Sequence, residues 1–224
     1  MVDTLCNNLE VVTFTNAPVP SNAFLIVCKD EKRCMVVDPG SKEQNNIRDY
    51  ICDNGYGLDF ILLSHEHFDH CWGVNSLVKA FDGVKVVCTR MCKEWVGTPM
   101  NYFNKLYFDS DEMYSIDKVD VLTEDIDWKM EWCGKKVRFI DAKGHTNRGM
   151  CIAIGNALFS GDTMIYMIKP FLKKKYGASV EDLRNTIGRI YAEYSADTIV
   201  YPGHGEKFKL GEMKEYYENY FAQR

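Results

Sequence analysis

The segment Ser64-His65-Glu66-His67-Phe68-Asp69-His70-Cys71-Trp72-Gly73 constrains this chain more than any other. Three of the five histidines and an aspartate fall within six residues, directly after the apolar run Phe60-Ile61-Leu62-Leu63. A short apolar run reads as a strand, so His65 is expected at a strand's C-terminal end, where α/β folds place their sites. His65 and His67, two apart in extended chain, can turn their rings to the same side. The turn that follows can bring Asp69 and His70 back to a neighbouring point. Imidazole and carboxylate suit zinc, manganese or iron. Four such ligands so close in sequence strain a closed site for one tetrahedral ion and fit better when split between two.

The remaining donors sit in similar settings. His145 lies in Lys143-Gly144-His145-Thr146 after the strand pattern 137–142, and His204 lies in Tyr201-Pro202-Gly203-His204-Gly205 after 198–201. Asp162 lies in Phe159-Ser160-Gly161-Asp162-Thr163. Each is a loop residue at a strand end, beside glycines that permit tight turns. Taken singly, each reads as a capping aspartate or a surface histidine. Taken together they supply seven ligands and leave no histidine for a catalytic triad.

The HxHxDH pattern at 65–70, followed in order by His145, Asp162 and His204, resembles the metallo-β-lactamase-fold hydrolase superfamily. Asp38-Pro39-Gly40 is similar to that family's early Asp-x-Gly turn. The resemblance implies an α/β fold (α+β in some schemes), a four-layer αβ/βα sandwich with the metals between the sheet ends. It implies one ion on His65, His67 and His145, a second on Asp69, His70 and His204, and Asp162 bridging both. Asp38 would orient a ligand histidine from behind. Two divalent ions are implied, zinc first, with iron or manganese as alternatives.

Within the family, common zinc β-lactamases carry Cys where Asp162 stands, and diiron flavoproteins carry Glu at the position of His67. Members that process transfer-RNA 3′ ends carry a long exosite and a basic surface. The Gly-His-Thr, Ser-Gly-Asp-Thr and Tyr-Pro-Gly-His-Gly segments are most similar to the glyoxalase II-type subgroup. That enzyme's helical C-terminal domain, which helps bind glutathione, is not expected in the twenty residues after His204. The resemblance thus implies hydrolysis of a small, in some cases anionic, thioester, lactone or ester. A metal-bridging hydroxide would attack, with Asp69 as the catalytic group that handles its proton. The alternatives are phosphodiester hydrolysis of a nucleotide-type substrate and persulfide dioxygenation on a single iron.

Composition narrows the partners. A net charge of −5 argues against general nucleic-acid binding. No run approaches the roughly 18 apolar residues of a membrane span, and residues 1–7 show no signal-peptide pattern. Nine cysteines, odd in number and without CxxC, read as reduced structural thiols, Cys71 among them. A cytoplasmic location, a small-molecule substrate and no nucleic-acid or membrane partner are expected, with the oligomeric state left open.

The pattern predicts strands at 9–15, 23–27, 33–37, 60–64, 84–88, 137–142, 150–154, 157–159 and 198–201. Helices are predicted at 42–54, 73–81, 179–194 (capped by Ser179) and 211–221, all in one domain of 224 residues. Residues 91–118 break the rhythm with Trp95, Pro99, Tyr102, Phe103, Tyr107, Phe108 and Tyr114 in no clean period. They read as a packed excursion or as a lid. The run Lys173-Lys174-Lys175-Tyr176 is similar in kind to the glutathione-binding loop of glyoxalase II, and reads as a solvated face or an anion-steering patch. Tyr166, Lys173, Lys175 and Tyr176 are candidate substrate contacts, with Tyr102, Phe103 and Tyr107 as apolar walls. A substrate with an apolar or planar part and a negative charge away from the scissile bond is expected.

Overall fold

Asn22–Cys28 is buried along its whole length, whereas Leu9–Thr15 mixes buried and part-exposed residues. A strand covered on both faces must lie inside a layered structure. The computed structural model, which describes residues 2–6, 8–116, 118–123 and 128–224 without the side chains of Cys6, Tyr102 and Trp128, has that form.

The first sheet keeps chain order in space: β1 (Val2–Cys6), β2 (Leu9–Thr15), β3 (Asn22–Cys28), β4 (Arg33–Val37), β5 (Gly57–Leu62), β6 (Lys85–Cys88) and β7 (Val121–Leu122). Its first four strands form an antiparallel meander, and β4 to β7 pair in parallel. Parallel neighbours need crossovers. Those are α1 (Asn45–Asp53), then α2 (Phe68–Cys71) and α3 (Val74–Ala80), then α4 (Arg90–Val96) and α5 (Tyr102–Phe108).

The second sheet repeats the plan with β8 (Trp128–Trp132), β9 (Lys135–Asp141), β10 (Met150–Ile154), β11 (Ala157–Gly161), β12 (Ile199–Pro202) and β13 (Phe208–Lys209), ordered β13-β12-β11-β10-β9-β8. It is antiparallel from β8 to β11, and α6 (Val180–Glu193) then crosses to β12, parallel to β11. Past β13 the chain closes with α7 (Lys214–Ala222).

Three apolar layers hold the four structural ones together. Phe24, Ile26, Met35 and Leu62 of the first sheet meet Val137, Phe139, Ile152 and Phe159 of the second. The outer face of the first sheet (Leu25, Val36, Ile61) packs on Ile47 and Ile51 of α1 and Leu77 of α3. The outer face of the second sheet (Ile140, Cys151, Leu158) packs on Leu183, Ile187 and Ile190 of α6 and Tyr217 of α7. This is the αβ/βα sandwich. In α6 the Ser179 hydroxyl accepts from the Asp182 amide, and Glu181 and Asp182 occupy its positively polarised first turn.

Some boundaries differ from the sequence pattern. The fifth strand starts at Gly57 and ends at Leu62, so Leu63 and Ser64 already belong to the turn that delivers His65. Residues 210–213 form a 3₁₀ turn ahead of α7 rather than its first turn. β1, β7, β8 and β13 were not anticipated; two of them are only two residues long and carry no period. The segment 91–118 holds α4 and α5, and a bridge between Met100 and Tyr114 closes the excursion on itself. Tyr114 Oη donates to the Trp72 carbonyl at 2.6 Å, tying it to the end of α2.

Candidate metal centre

β4, β5, β9, β11 and β12 direct their C-terminal ends to one edge of the sandwich, and the loops that leave them carry Asp38, His65–His70, His145, Asp162 and His204. Two turns need glycine. A Cβ on Gly203 would stand 2.2 Å from Asp162 Oδ1 and 2.6 Å from His70 Cε1, and one on Gly40 would stand 1.6 Å from the Asp69 carbonyl oxygen. The glycines let neighbouring loops close around the donors.

The seven predicted donors converge in two overlapping groups. His65 Nε2 and His145 Nε2 each lie 3.0 Å from His67 Nδ1. Asp162 Oδ2 is 3.6 Å from both His145 Nε2 and His204 Nε2. On the other side, His70 Nε2 lies 3.6 Å from Asp69 Oδ2 and 3.5 Å from Asp162 Oδ1, and His204 Nε2 lies 3.4 Å from Asp69 Oδ2. Asp162 touches both groups.

The donors fit a cation. Ligands 2.0–2.1 Å from a tetrahedral zinc stand about 3.3 Å apart, and these separations fall on either side of that edge. His70 Nε2 and Asp162 Oδ1, which face each other, are buried without a hydrogen-bond partner. Buried polar atoms are seldom left so. The far nitrogens of four histidines are engaged, which aims the other nitrogen inward. His145 Nδ1 donates to the Phe171 carbonyl at 2.8 Å and His204 Nδ1 to the Pro20 carbonyl at 3.1 Å. His70 Nδ1 donates to Asp38 Oδ2 at 3.0 Å. His65 Nδ1 lies 2.9 Å from Ser64 Oγ, whose proton goes to that same Asp38 oxygen.

Electrostatics separates the two groups. Burial and the surrounding histidines hold His65 well below its usual range, and burial with His145 lowers His67 to about 3. Both imidazoles are neutral at pH 7, with lone pairs free. Burial also opposes charge on His70, but Asp69, Asp162 and Asp38 outweigh it and raise it to about 10. Burial works against Asp69's charge, yet His70 and His204 bring its carboxyl down to about 2.

A buried pair beside the donors gave no signal in the sequence. Glu66, between two ligand histidines, accepts from Arg148 Nη1 at 3.0 Å and from the Thr146 hydroxyl at 3.1 Å. The Arg148 guanidinium lies 4.5 Å from the Trp95 ring and donates to the Tyr176 carbonyl at 3.2 Å. One ion pair thus joins four segments far apart in sequence.

The candidate substrate contacts divide. Lys175 and Tyr176 line an apolar cavity next to His67, and the Tyr176 ring lies 4.6 Å from that of His67. Phe103 is also part of the wall, stacked on Phe68. Lys173 lies over Phe171, whose carbonyl holds His145. Tyr166 is exposed and packs on Phe208, while Tyr107 is exposed beside the stack. Neither is among the cavity's lining residues. The Tyr102 side chain lies outside the described residues. No helix among the described residues is long and apolar enough to cross a membrane.

The chain is similar to known proteins in sequence and in fold. The profile of the metallo-beta-lactamase superfamily matches residues 16–204. The chain is 27% identical over 194 residues to a probable polyketide biosynthesis zinc-dependent hydrolase, BaeB, of Bacillus velezensis, covering 86% of this chain and 76% of that protein. It is 31% identical over 135 residues to a hydroxyacylglutathione hydrolase of Hydrogenovibrio crunogenus; that match covers 60% of this chain but 41% of the relative. In fold it is similar to the BLEG-1 B3 metallo-beta-lactamase, with a TM-score of 0.79 and 20% identity over 92% of this chain and 96% of that one.

Proposed function

Since the chain belongs to the metallo-beta-lactamase superfamily and is a glyoxalase II-like, metal-dependent hydrolase, we propose that it holds two divalent ions, zinc first, and cleaves a small thioester, lactone or ester. The observation that carries this reading is the convergence of seven donors with buried atoms facing one another unpaired. His65, His67 and His145 would hold one ion, Asp69, His70 and His204 the other, and Asp162 would bridge them. Such a pair supplies a water acidified toward neutrality and a Lewis acid for the oxygen under attack.

The chain's own groups do the rest. Asp69, ionised at neutral pH, presents a carboxylate on the more open side of the cluster, beside the half-buried His204. It orients the attacking water and takes its proton. As the water oxygen joins the carbonyl carbon, the C–S or C–O bond breaks, and the proton passes to the departing thiolate or alkoxide. Asp38 holds His70 and Ser64 throughout. Lys175, at the cavity wall, is placed to meet an anionic group away from the scissile bond.

The test is a metal count together with a panel of thioesters, lactones and bis-p-nitrophenyl phosphate. Two ions per chain with turnover of the carbonyl substrates are expected. Turnover of the phosphodiester alone would favour the nucleotide-type reading. One iron per chain with oxygen uptake on a persulfide would replace hydrolysis by dioxygenation.

A further inference from the structure

The cavity next to His67 measures about 250 Å³ and is lined by Phe68, Trp72, Trp95, Phe103 and Ile116 among others. A dry cavity of about 150 Å³ lined by apolar side chains accepts benzene. This one therefore has room for a ring with further carbons, or a chain of about eight carbons.

Most polar groups on its wall are already engaged, although His67 Nε2 is buried there without a hydrogen-bond partner. Tyr114 donates to the Trp72 carbonyl, Asn104 Nδ2 to the Glu112 carbonyl and the Cys71 thiol to the Glu66 carbonyl. The Glu66 carboxylate is taken by Arg148 and Thr146. A guest inside has little polar to meet and displaces water from aromatic surface, so burial favours an apolar one. Of the seven donors, the cavity's lining includes His67 and none of the other six, and His67 Nδ1 lies 3.0 Å from His65 Nε2 and from His145 Nε2. The cavity therefore meets the cluster at the group of His65, His67 and His145 rather than at Asp69 and His204.

We propose that this cavity is an acyl pocket: the substrate carries a medium-length aliphatic or aryl acyl group seated between α2 and the two helices of the excursion. The scissile carbonyl stops at His67, and the leaving thiol or alcohol lies on the Asp69–His204 side. The assignment rests on the hydrolase reading above and deepens it.

The test uses the zinc-loaded full chain and thioesters of N-acetylcysteamine from acetyl to dodecanoyl. kcat/KM rises about fourfold per methylene to a maximum near eight carbons and then falls. Phe103→Ala moves the maximum to longer chains. Ile116→Phe, which projects a ring into the space, lowers the octanoyl-to-acetyl ratio at least tenfold; Thr98→Phe at the rim serves if that variant does not fold. Acetyl thioesters of longer alkyl thiols give a flat series. Binding of n-alkanols, read from the fluorescence of Trp72 and Trp95, tightens with chain length independently of turnover. A flat acyl series with flat alkanol binding overturns the pocket, and steeper dependence on the thiol than on the acyl chain overturns its orientation. Graded alkanol binding with no thioester turned over supports the pocket and removes the hydrolase reading.

Discussion

His70 shows how one residue's surroundings set the chemistry of the whole centre. It is fully buried, donates to Asp38 on one side and faces Asp69 and Asp162 on the other, and those carboxylates keep it protonated up to about pH 10. A protonated Nε2 cannot bind a metal, so an ion held there as proposed would have to displace that proton. Zinc added to the metal-free protein at pH 8 in weak buffer should release about one proton from this residue. The apparent affinity should rise up to tenfold per pH unit between about 6.5 and 10. An indicator dye and two dissociation constants measured a pH unit apart check this, and pH-independent affinity would contradict it. The same shift bears on stability: the folded value lies above the unfolded one, so the contribution is full below pH 6.5 and fades as pH climbs toward 10. Asp69 differs, being ionised from about pH 2 upward. Asp69→Asn can still offer one oxygen but cannot take a proton. We expect kcat to fall at least a hundredfold while the fold persists by circular dichroism; a loss within threefold at saturating zinc would remove the proton-handling role. Four candidate donors, His65, His67, Asp69 and His70, stand out in the sequence by residue type at short spacing, whereas His145, Asp162 and His204 stand out only as loop residues at strand ends taken together. The Asp38 interaction with His70 crosses 32 positions and came only with the family resemblance.

At the scale of elements, what could be read depended on length and locality. β2, β4 and β10 coincide with their sequence patterns because a run of five to seven apolar or alternating residues carries its own period. β7 and β13, two residues each, exist because neighbouring strands offer them partners. The excursion resisted reading for a related reason. Its helices are seven residues long, too short to stand alone, and they are fixed by contacts with α2 and with the loop at Arg148. Arg148 is the joint. Its guanidinium neutralises Glu66, whose side chain is 0% exposed, and reaches both Trp95 and Tyr176. Removing one partner of a buried pair leaves the other charge uncompensated, at a cost of about 3–5 kcal/mol. Arg148→Ala should lower unfolding free energy in urea by that order. It should also weaken binding of long-chain alkanols, since α4 and the Tyr176 segment lose their common anchor. The double variant Glu66→Met, Arg148→Met should recover most of the stability without restoring the anchor. A loss below about 1 kcal/mol in the single variant would mean that the pair is solvated in solution.

The whole molecule is two sheets, each carrying part of one centre. Asp69 and three of the histidines follow β5 in the first sheet, whereas His145, Asp162 and His204 leave the second. Protein contacts already cross the seam: the Asn22 amide and side chain donate to the Gly203, Pro202 and Gly205 carbonyls, and the Met150 amide to the Ser64 carbonyl. The apolar layer around Phe24, Phe139 and Phe159 holds the sheets together from within, so the metal-free chain should fold. A cation at the edge would add to this by binding donors that exist as a set only when both sheets are docked. Each ion's stabilisation then grows by about 1.4 kcal/mol for each tenfold rise in free zinc above its dissociation constant. For a chain of this size that is about 3–5 °C in Tm per decade for each ion bound. Thermal melts in zinc buffers spanning four decades should give that slope, and a chelator should collapse it. Asp162→Ala, which removes the donor shared by both groups, should flatten the slope more than His65→Ala, which removes a donor from one group only. If the two variants kept the wild-type slope, the cation would be binding elsewhere, and the edge of the sandwich would be held by protein contacts alone.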